Sequence, residues 1–277
     1  MIATIPQLAE IETIPQFADF PWLLHGITTR RGGVSAPPHA SLNIGFSRPD
    51  DREAVRENRR RVAEAIGFGM DDVVIAGQIH GTRVIPVGAA ERGRGAYGIA
   101  SPLPLADGQI TDEPGVVLWS GFADCTPLLL VDPVRRAVGA IHAGWQGTVA
   151  DIAGAAVAAM AEAYGSRPGD LLAAIGPAIG PCCYEVGEPV IGRVRERFGA
   201  EADALLPRRP GAERPHFDLW AANALLLAAA GVPQKSIIRL DTCTACNVDR
   251  FFSHRRERGA TGRFAAIIGV RRQPAGA

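Results

Sequence analysis

Residues 115–148 read GVVLWSGFADCTPLLLVDPVRRAVGAIHAGWQGT, and their hydrophobic rhythm decides the fold class. Gly115–Ser120 and Thr126–Val131 are apolar runs of strand length separated by GFADC. The turn pair Asp132-Pro133 closes the second run, and Val138–His142 makes a third. HAGWQGT follows, and its glycines lead into an Ala-rich stretch, Val149 to Tyr164, that predicts a helix stopping at Gly165. Strands joined by such short connections pair as antiparallel hairpins do. The stretch therefore predicts α+β, with sheet packed on sheet or helix, in preference to a doubly wound parallel fold.

The same reading extends outward. Asp50 and Asp51 cap a predicted helix running to about Ile66, with Ala54, Val55, Asn58, Val62 and Ile66 on one face and Gly67 at its end. Val73–Ala76 and Arg83–Val87 read as strands around QIHGT, where Gly81 marks a tight connection. Further strands are predicted at Leu172–Ile175, Ile237–Leu240 and Phe264–Val270. Helices are predicted at Glu188–Phe198 and Leu219–Ala230, the second capped by Asp218 and ended by Gly231. Pro207–Pro215 reads as a surface loop. With no internal repeat and no low-complexity linker, one domain over residues 1–277 is expected.

Bulk properties bound the function. The chain has 277 residues, 47% of them hydrophobic, enough for a sizeable core. Lys plus Arg and Asp plus Glu number 29 each, so no net field recruits nucleic acid or an anionic membrane. The start, MIATIPQLAEIETIPQF, lacks a cationic segment followed by an apolar run, so no signal peptide is expected. Ala221 to Ala230, the most apolar run, is far too short to span a membrane. Five cysteines, two of them adjacent (Cys182 and Cys183), do not form a disulfide framework, which points to a reducing cytoplasm.

Three segments each put a metal-ligating side chain beside a strand end: His80 in QIHGTRV, Cys125 in ADCTPLLLVDP and His142 in HAGWQGT. Zinc takes imidazole nitrogen and thiolate sulfur, and catalytic sites use three protein ligands with a fourth position open. The intervals are too long for a finger or ribbon and suit a site assembled from separate strands. Each residue alone also reads as structural, since a strand-end His is often a satisfied polar group and free Cys is often buried. The Ala-Gly after His142, then Gly147 and a helix, let backbone approach a ligand and aim helix N-terminal amides at it. Asp124 precedes Cys125 and reads either as a turn residue or as a group that orients a ligand or takes a proton. GPAIGPCCYEVG reads as a rigid loop that walls a pocket or simply crosses over.

ADCTP, HAGWQGT, GPAIGPCCYEV and FFSHRRERGATGR, in this order and together with SLNIG at Ser41–Gly45 and QIHGTRV, resemble the laccase-domain family, also called multicopper polyphenol oxidases or YfiH-like proteins. The resemblance runs from about residue 22 to residue 270. It implies an α/β/β/α layered sandwich with mixed sheets and a zinc ion held by His80, Cys125 and His142. It also implies phosphorolysis of purine nucleosides (adenosine, inosine, guanosine and methylthioadenosine) with accompanying adenosine deamination. Two positions depart from the family pattern. Gln146 stands where an Arg is usual, which removes a cation beside the metal loop, and His254 stands where a Tyr is usual. Cys246 lies outside the recognised motifs, and Cys182 and Cys183 are expected in the pocket wall.

A conventional multicopper laccase needs about ten imidazoles, whereas the chain has six His, of which His25 and His39 lie in N-terminal segments and His216 starts a helix. Copper in the His/Cys site, as in a copper-dependent polyphenol oxidase, is therefore the weaker cofactor reading beside zinc. Phosphorolysis calls for an always-charged bidentate group on phosphate, and Arg255, Arg256 and Arg263 in SHRRERGATGR qualify, with Gly262 letting that loop come close. Any one of them reads equally as a solvated surface charge. Asn43 and Gln78 are amides able to bind a base edge or ribose hydroxyl, or to brace loops. For deamination, zinc lowers the pKa of coordinated water to about 7, and Asp124 is the candidate acid–base group. A different class also fits: Cys125 as nucleophile with His142 or His80 as base, in an amidase editing peptidoglycan precursors. A non-enzymatic scaffold is disfavoured by the zero charge and the Gly/Pro loops.

Overall fold

The computed structural model describes residues 8–46, 49–98 and 105–272. Eleven strands are named among them: β1 Ile11–Glu12, β2 Leu23–Thr28, β3 Val73–Val74, β4 Val84–Pro86, β5 Gly108–Thr111, β6 Val117–Phe122, β7 Thr126–Asp132, β8 Ala137–Ala143, β9 Leu172–Ile175, β10 Ile237–Arg239 and β11 Phe264–Val270. They form two mixed sheets with strand orders β1-β2-β11-β6-β3 and β10-β9-β7-β8-β5-β4. The helices are α1 Arg52–Ile66, α2 Trp145–Val149, α3 Ile152–Tyr164, α4 Glu188–Phe198, α5 Ala202–Leu205 and α6 Leu219–Ala229.

Strand alternation explains the layering. On β11, Phe264, Ala266, Ile268 and Val270 face the other sheet, joining Leu129 and Val131 of β7 and Val138 and Ala140 of β8. The intervening Ala265 and Ile267 face outward, where they meet Val62 of α1. On β7 the opposite set, Leu128 and Leu130, packs beneath α3 and α6 with Ile152, Ala156, Met160 and Leu226. The order is α1, five-stranded sheet, six-stranded sheet, then α3 and α6. The expected α/β/β/α layering of an α+β fold is present.

Helix α1 is set by its ends. Asp51 accepts the Glu53 amide N–H at 3.0 Å, and Gly67 closes the helix at φ 90°. Its buried face carries Val55, Asn58, Arg59, Val62 and Ala63. Three expectations need correction. The Val149–Tyr164 helix is two helices, because Asp151 adopts φ 68° and accepts the Gly154 amide N–H, starting α3 afresh. The Val73–Ala76 strand stops at Val74, since the Ile75 amide N–H bonds the Arg94 carbonyl outside the sheet. His216 does not start a helix but bridges Glu185 in extended conformation, and Asp218 caps α6.

One further difference positions the site. β6 and β7 do not pair with each other: they lie in different sheets, so Ala123–Cys125 carries the chain across the sandwich. QIHGT does the same between β3 and β4. Only β7 and β8, of the strands in the decisive stretch, form the expected hairpin.

Candidate metal centre and pocket

Both crossovers reach the same end of the sandwich, where β8 terminates. His142 lies opposite Pro127 on β7, which brings it beside Cys125. His80 sits in the left-handed region at φ 61°, a conformation that a non-glycine residue holds only when its surroundings fix it. Asp107 supplies that fixing. Its carboxylate accepts the backbone N–H of Ile79 at 3.3 Å, His80 at 2.9 Å and Gly81 at 2.7 Å. The same carboxylate lies 2.8 Å from His142 Nδ1. Asp107 therefore aims two of the three expected ligands.

The donor set fits a metal ion. The ligating atoms of His80, Cys125 and His142 lie within 4.8 Å of one another. The two imidazoles stand edge to face with centroids 4.9 Å apart. Asp107 occupies Nδ1 of His142 and leaves Nε2 for a ligand, the carboxylate–histidine arrangement that orients metal-bound imidazoles. A Cβ on Gly144 would lie 3.0 Å from His80 Cδ2 and 3.2 Å from Cys125 Sγ, so a side chain there would press on two of the donors.

Electrostatics couple these groups. Burial would raise the Cys125 thiol pKa, but His142 and His80 overcome it and bring it down to about 6. Burial would lower His142, yet the Cys125 thiolate and Asp107 lift it to about 9. Asp107 feels burial in the raising direction, and His142 with the Gly81 and His80 amides holds it below the ordinary carboxylate value. A soft anion and an imidazolium are thus stabilised side by side, the state from which a metal displaces protons.

The centre opens into a pocket of about 730 Å³. Its lining includes His80, Cys125 and His142 and also Arg59, Arg255 and Arg263. Trp119, Phe122, Trp145 and Tyr184 also line it, so the cavity offers aromatic faces, cations and metal-ligating side chains together.

The expected substrate residues divide. Gln78 lines the pocket, with its Nε2 donating to the Gly121 carbonyl at 3.1 Å. Arg255 lines it with its guanidinium over Tyr184, 5.1 Å from the ring centroid. Arg263 lines it as well, and Gly262 earns its place because a Cβ there would lie 2.8 Å from Phe252 and 2.9 Å from Asn43. Asn43 is fully buried and braces: its Oδ1 accepts the N–H of Arg263 at 2.8 Å and of Gly45 at 3.0 Å, and its Nδ2 donates to Asp50. Asp124, at φ 86°, accepts the Thr244 hydroxyl and the Arg255 N–H, each at 2.6 Å. Arg256 is not among the lining residues, whereas His254 is. Gln146 is exposed on α2 and lies outside the lining.

Two residues at the site carry no signal in the motifs. Asp107 is one. The other is Arg59, which is 4% exposed and bonds the carbonyls of Ile44, Gly95 and Ala96, with its guanidinium 4.4 Å from the Phe46 centroid. No carboxylate among the described residues pairs with it, and burial pulls its pKa down to about 9. The expectation that Cys182 and Cys183 wall this pocket is not met: they are absent from its lining and lie instead beside Cys243 and Cys246.

Residues 24–271 match the sequence profile of the multi-copper polyphenol oxidoreductase laccase family. The chain belongs to this family. Within it, the chain is 45% identical over 249 residues to a protein of Geobacillus stearothermophilus named purine nucleoside phosphorylase YlmD, covering 90% of each. It is 42% identical over 250 residues to a purine nucleoside phosphorylase of Deinococcus radiodurans, again covering 90% of each. The crystal structure of the Geobacillus YlmD superposes with a TM-score of 0.87 at 42% identity, covering 96% of this chain and 100% of the other. The Bacillus licheniformis hypothetical protein YfiH superposes with a TM-score of 0.89 at 38% identity, covering 96% of this chain and 97% of the other. Of the six histidines, His80, His142 and His254 line the pocket. His25 accepts the Ile14 amide N–H, His39 lies beside Asp50 and His216 bridges Glu185, all outside the pocket.

Proposed function

We propose that this chain is a zinc-dependent purine nucleoside phosphorylase acting on adenosine, inosine, guanosine and methylthioadenosine, with accompanying adenosine deamination. The observation that carries the reading is one pocket lined both by the His80–Cys125–His142 donor set and by three arginines. Its volume of about 730 Å³ suits a nucleoside with a phosphate beside it. The names of the relatives point the same way.

In this reading Arg255, Arg263 and Arg59 hold phosphate against the anomeric carbon. A phosphate oxygen bonds to C1′ as the purine nitrogen leaves with the bonding pair and gains the proton that phosphate gives up, giving ribose-1-phosphate and free base. Guanidinium groups suit the step because they stay charged and bind oxyanions two-pronged. Gln78 offers an amide to the base or ribose, and the aromatic lining stacks on the purine. Asp124 acts by position, holding Arg255 through its backbone and Thr244 through its hydroxyl. His80, Cys125 and His142 would hold zinc, which when bound supplies Lewis-acid polarisation. Five free thiols suit a cytoplasmic setting.

The test is metal-quantified protein incubated with inosine or adenosine, with and without phosphate, and the products separated by chromatography. Phosphate-dependent release of hypoxanthine or adenine with ribose-1-phosphate is expected. Absence of base release from metal-replete protein sinks the reading.

One observation favours a second reading. Cys125, His142 and Asp107 stand in the order nucleophile, base and orienting carboxylate, with the thiol down at about 6. A cysteine amidase acting on peptidoglycan precursors would use that order. Its amide hydrolysis would survive chelation and be abolished by alkylation, the reverse of a metal-dependent enzyme.

A further inference from the structure

Four of the five cysteines lie outside the pocket and meet one another. Cys182 and Cys183 come from the loop GPAIGPCCYEVG, and Cys243 and Cys246 from the turn CTAC. Cys246 Sγ lies 3.5 Å from Cys182 Sγ and 3.4 Å from Cys183 Sγ, and all four sulfur atoms lie within 4.8 Å of one another. The Gly180 amide N–H donates to Cys243 Sγ at 3.3 Å. Gly180 has no room for a side chain, since a Cβ would lie 2.5 Å from Trp220 and 3.3 Å from Cys243. The loop is thus pressed onto the turn.

Four sulfurs so grouped match one chemical object. Zinc–sulfur bonds of about 2.3 Å in a tetrahedron put neighbouring sulfurs about 3.8 Å apart. The separations of Cys246 from Cys182 and Cys183 fall within a few tenths of an ångström of that edge. Two ligands arrive from a C-x-x-C turn and two from an adjacent pair, so two separate chain segments supply the shell. We propose that Cys182, Cys183, Cys243 and Cys246 form a second metal site, which takes zinc or a similar thiophilic divalent ion in a closed four-thiolate shell. Thiol protons leave to solvent as the ion enters. With no open position, the ion is structural.

The segments it would join reach the pocket through their neighbours. Thr244, inside the C-x-x-C turn, donates its hydroxyl to Asp124 at 2.6 Å. Tyr184, next to Cys183, lines the pocket beneath Arg255. An ion at the cysteine cluster therefore fixes the Asp124–Arg255–Tyr184 wall without touching substrate. The inference does not depend on which reaction the pocket performs.

The test uses the full chain carrying Cys125→Ser, which disables the His80–Cys125–His142 set, loaded with zinc or cobalt(II) under nitrogen. One equivalent of bound metal is expected, with the intense sulfur-to-cobalt charge-transfer absorption of an all-thiolate site. Adding Cys246→Ser should reduce that absorption to background. In case that double variant does not fold, maleimide labelling of the folded Cys125→Ser chain provides a second readout. Zinc should protect Cys182, Cys183, Cys243 and Cys246 from label, and protection should vanish after chelation. The proposal is overturned by absent metal, by cobalt spectra indifferent to Cys246→Ser, by labelling that zinc does not change, or by a mass showing Cys246 in a disulfide.

Discussion

The ligand wall of the pocket, His80, Cys125 and His142, stands on backbone that two sheets hold in register. The cationic wall, Arg59, Arg255 and Arg263, comes from a helix and a late loop tied together by buried polar side chains. In the first wall one carboxylate, Asp107, gathers three backbone amides and an imidazole. In the second, Asn43 holds Arg263, Asp124 holds Arg255, and carbonyls of Ile44, Gly95 and Ala96 hold Arg59. The ligand wall is rigid because strand pairing sets His142 beside Cys125 and the Asp107 carboxylate fixes the His80 backbone. The cationic wall is rigid only while its hydrogen bonds last. Damage to the first wall should appear as lost metal, and damage to the second as lost phosphate affinity or stability.

The largest effect should come from Cys125→Ser, which exchanges a soft ligand for a poor one. Metal content at the His80–Cys125–His142 set and phosphorolysis should both fall to background, as read by metal analysis and base release. A Cys125→Ser chain free of metal that still turns over fully would end the zinc-enzyme reading. Next comes Asp107→Asn, which keeps the shape but leaves one acceptor oxygen where there were two. Removing such an orienting partner typically weakens metal binding about 10–100-fold. Competition against a coloured chelator measures this, and unchanged affinity would show that backbone alone sets the ligand wall.

On the cationic wall, Arg263→Ala should raise the KM for phosphate about tenfold or more, since a hydrogen bond to a charged group contributes about 1.5–3 kcal/mol. The nucleoside KM should move much less. Equal shifts in both would remove Arg263 from the anion site. Asn43→Ala separates bracing from binding. It leaves the Arg263 and Gly45 amides unpaired in a buried place, a loss of about 1–3 kcal/mol. That corresponds to a fall in Tm of about 2–4 °C per kcal/mol. A normal Tm with a raised nucleoside KM would instead make Asn43 a substrate contact.

The two walls also differ in how far the sequence revealed them. His80, Cys125 and His142 stand in short motifs whose residue types announce metal chemistry. Asp107 does not, because its partners Gly81 and His142 lie 26 and 35 residues away along the chain. Arg59 sits inside the run Arg59–Arg61, which reads as solvated charge until the helix phase turns that one side chain inward. Apolar patterning located β6, β7 and β11. It could not tell which sheet a strand joins, so the GFADC and QIHGT crossovers looked like hairpin turns. The break at Asp151 was hidden by the uniform alanines around it, and the convergence of Cys182 and Cys183 with Cys243 and Cys246 by the length of chain between them.

The smallest effect probes the electrostatics of the ligand wall in metal-stripped protein. Cys125 is held down to about 6, chiefly by His142 against the opposing effect of burial. Its thiolate fraction should therefore grow as pH rises through about 6, where an ordinary thiol would need a pH near 8.5. At pH 7 the gain in thiolate is large, but a less basic sulfur is a weaker nucleophile, with a Brønsted slope of about 0.4–0.5. The two effects leave only a few-fold net gain in alkylation rate, so the rate itself decides little and the midpoint decides. Iodoacetamide labelling of the Cys125 peptide, followed by mass spectrometry from pH 5 to 9, should show half-maximal rate near pH 6. Cys183, pushed up to about 11 by burial and its neighbouring thiols, should still be climbing at the end of the series. A Cys125 midpoint near 8.5 would mean that the imidazoles do not hold a thiolate before metal arrives, and the ligand wall would then be organised by the ion and not by the fold.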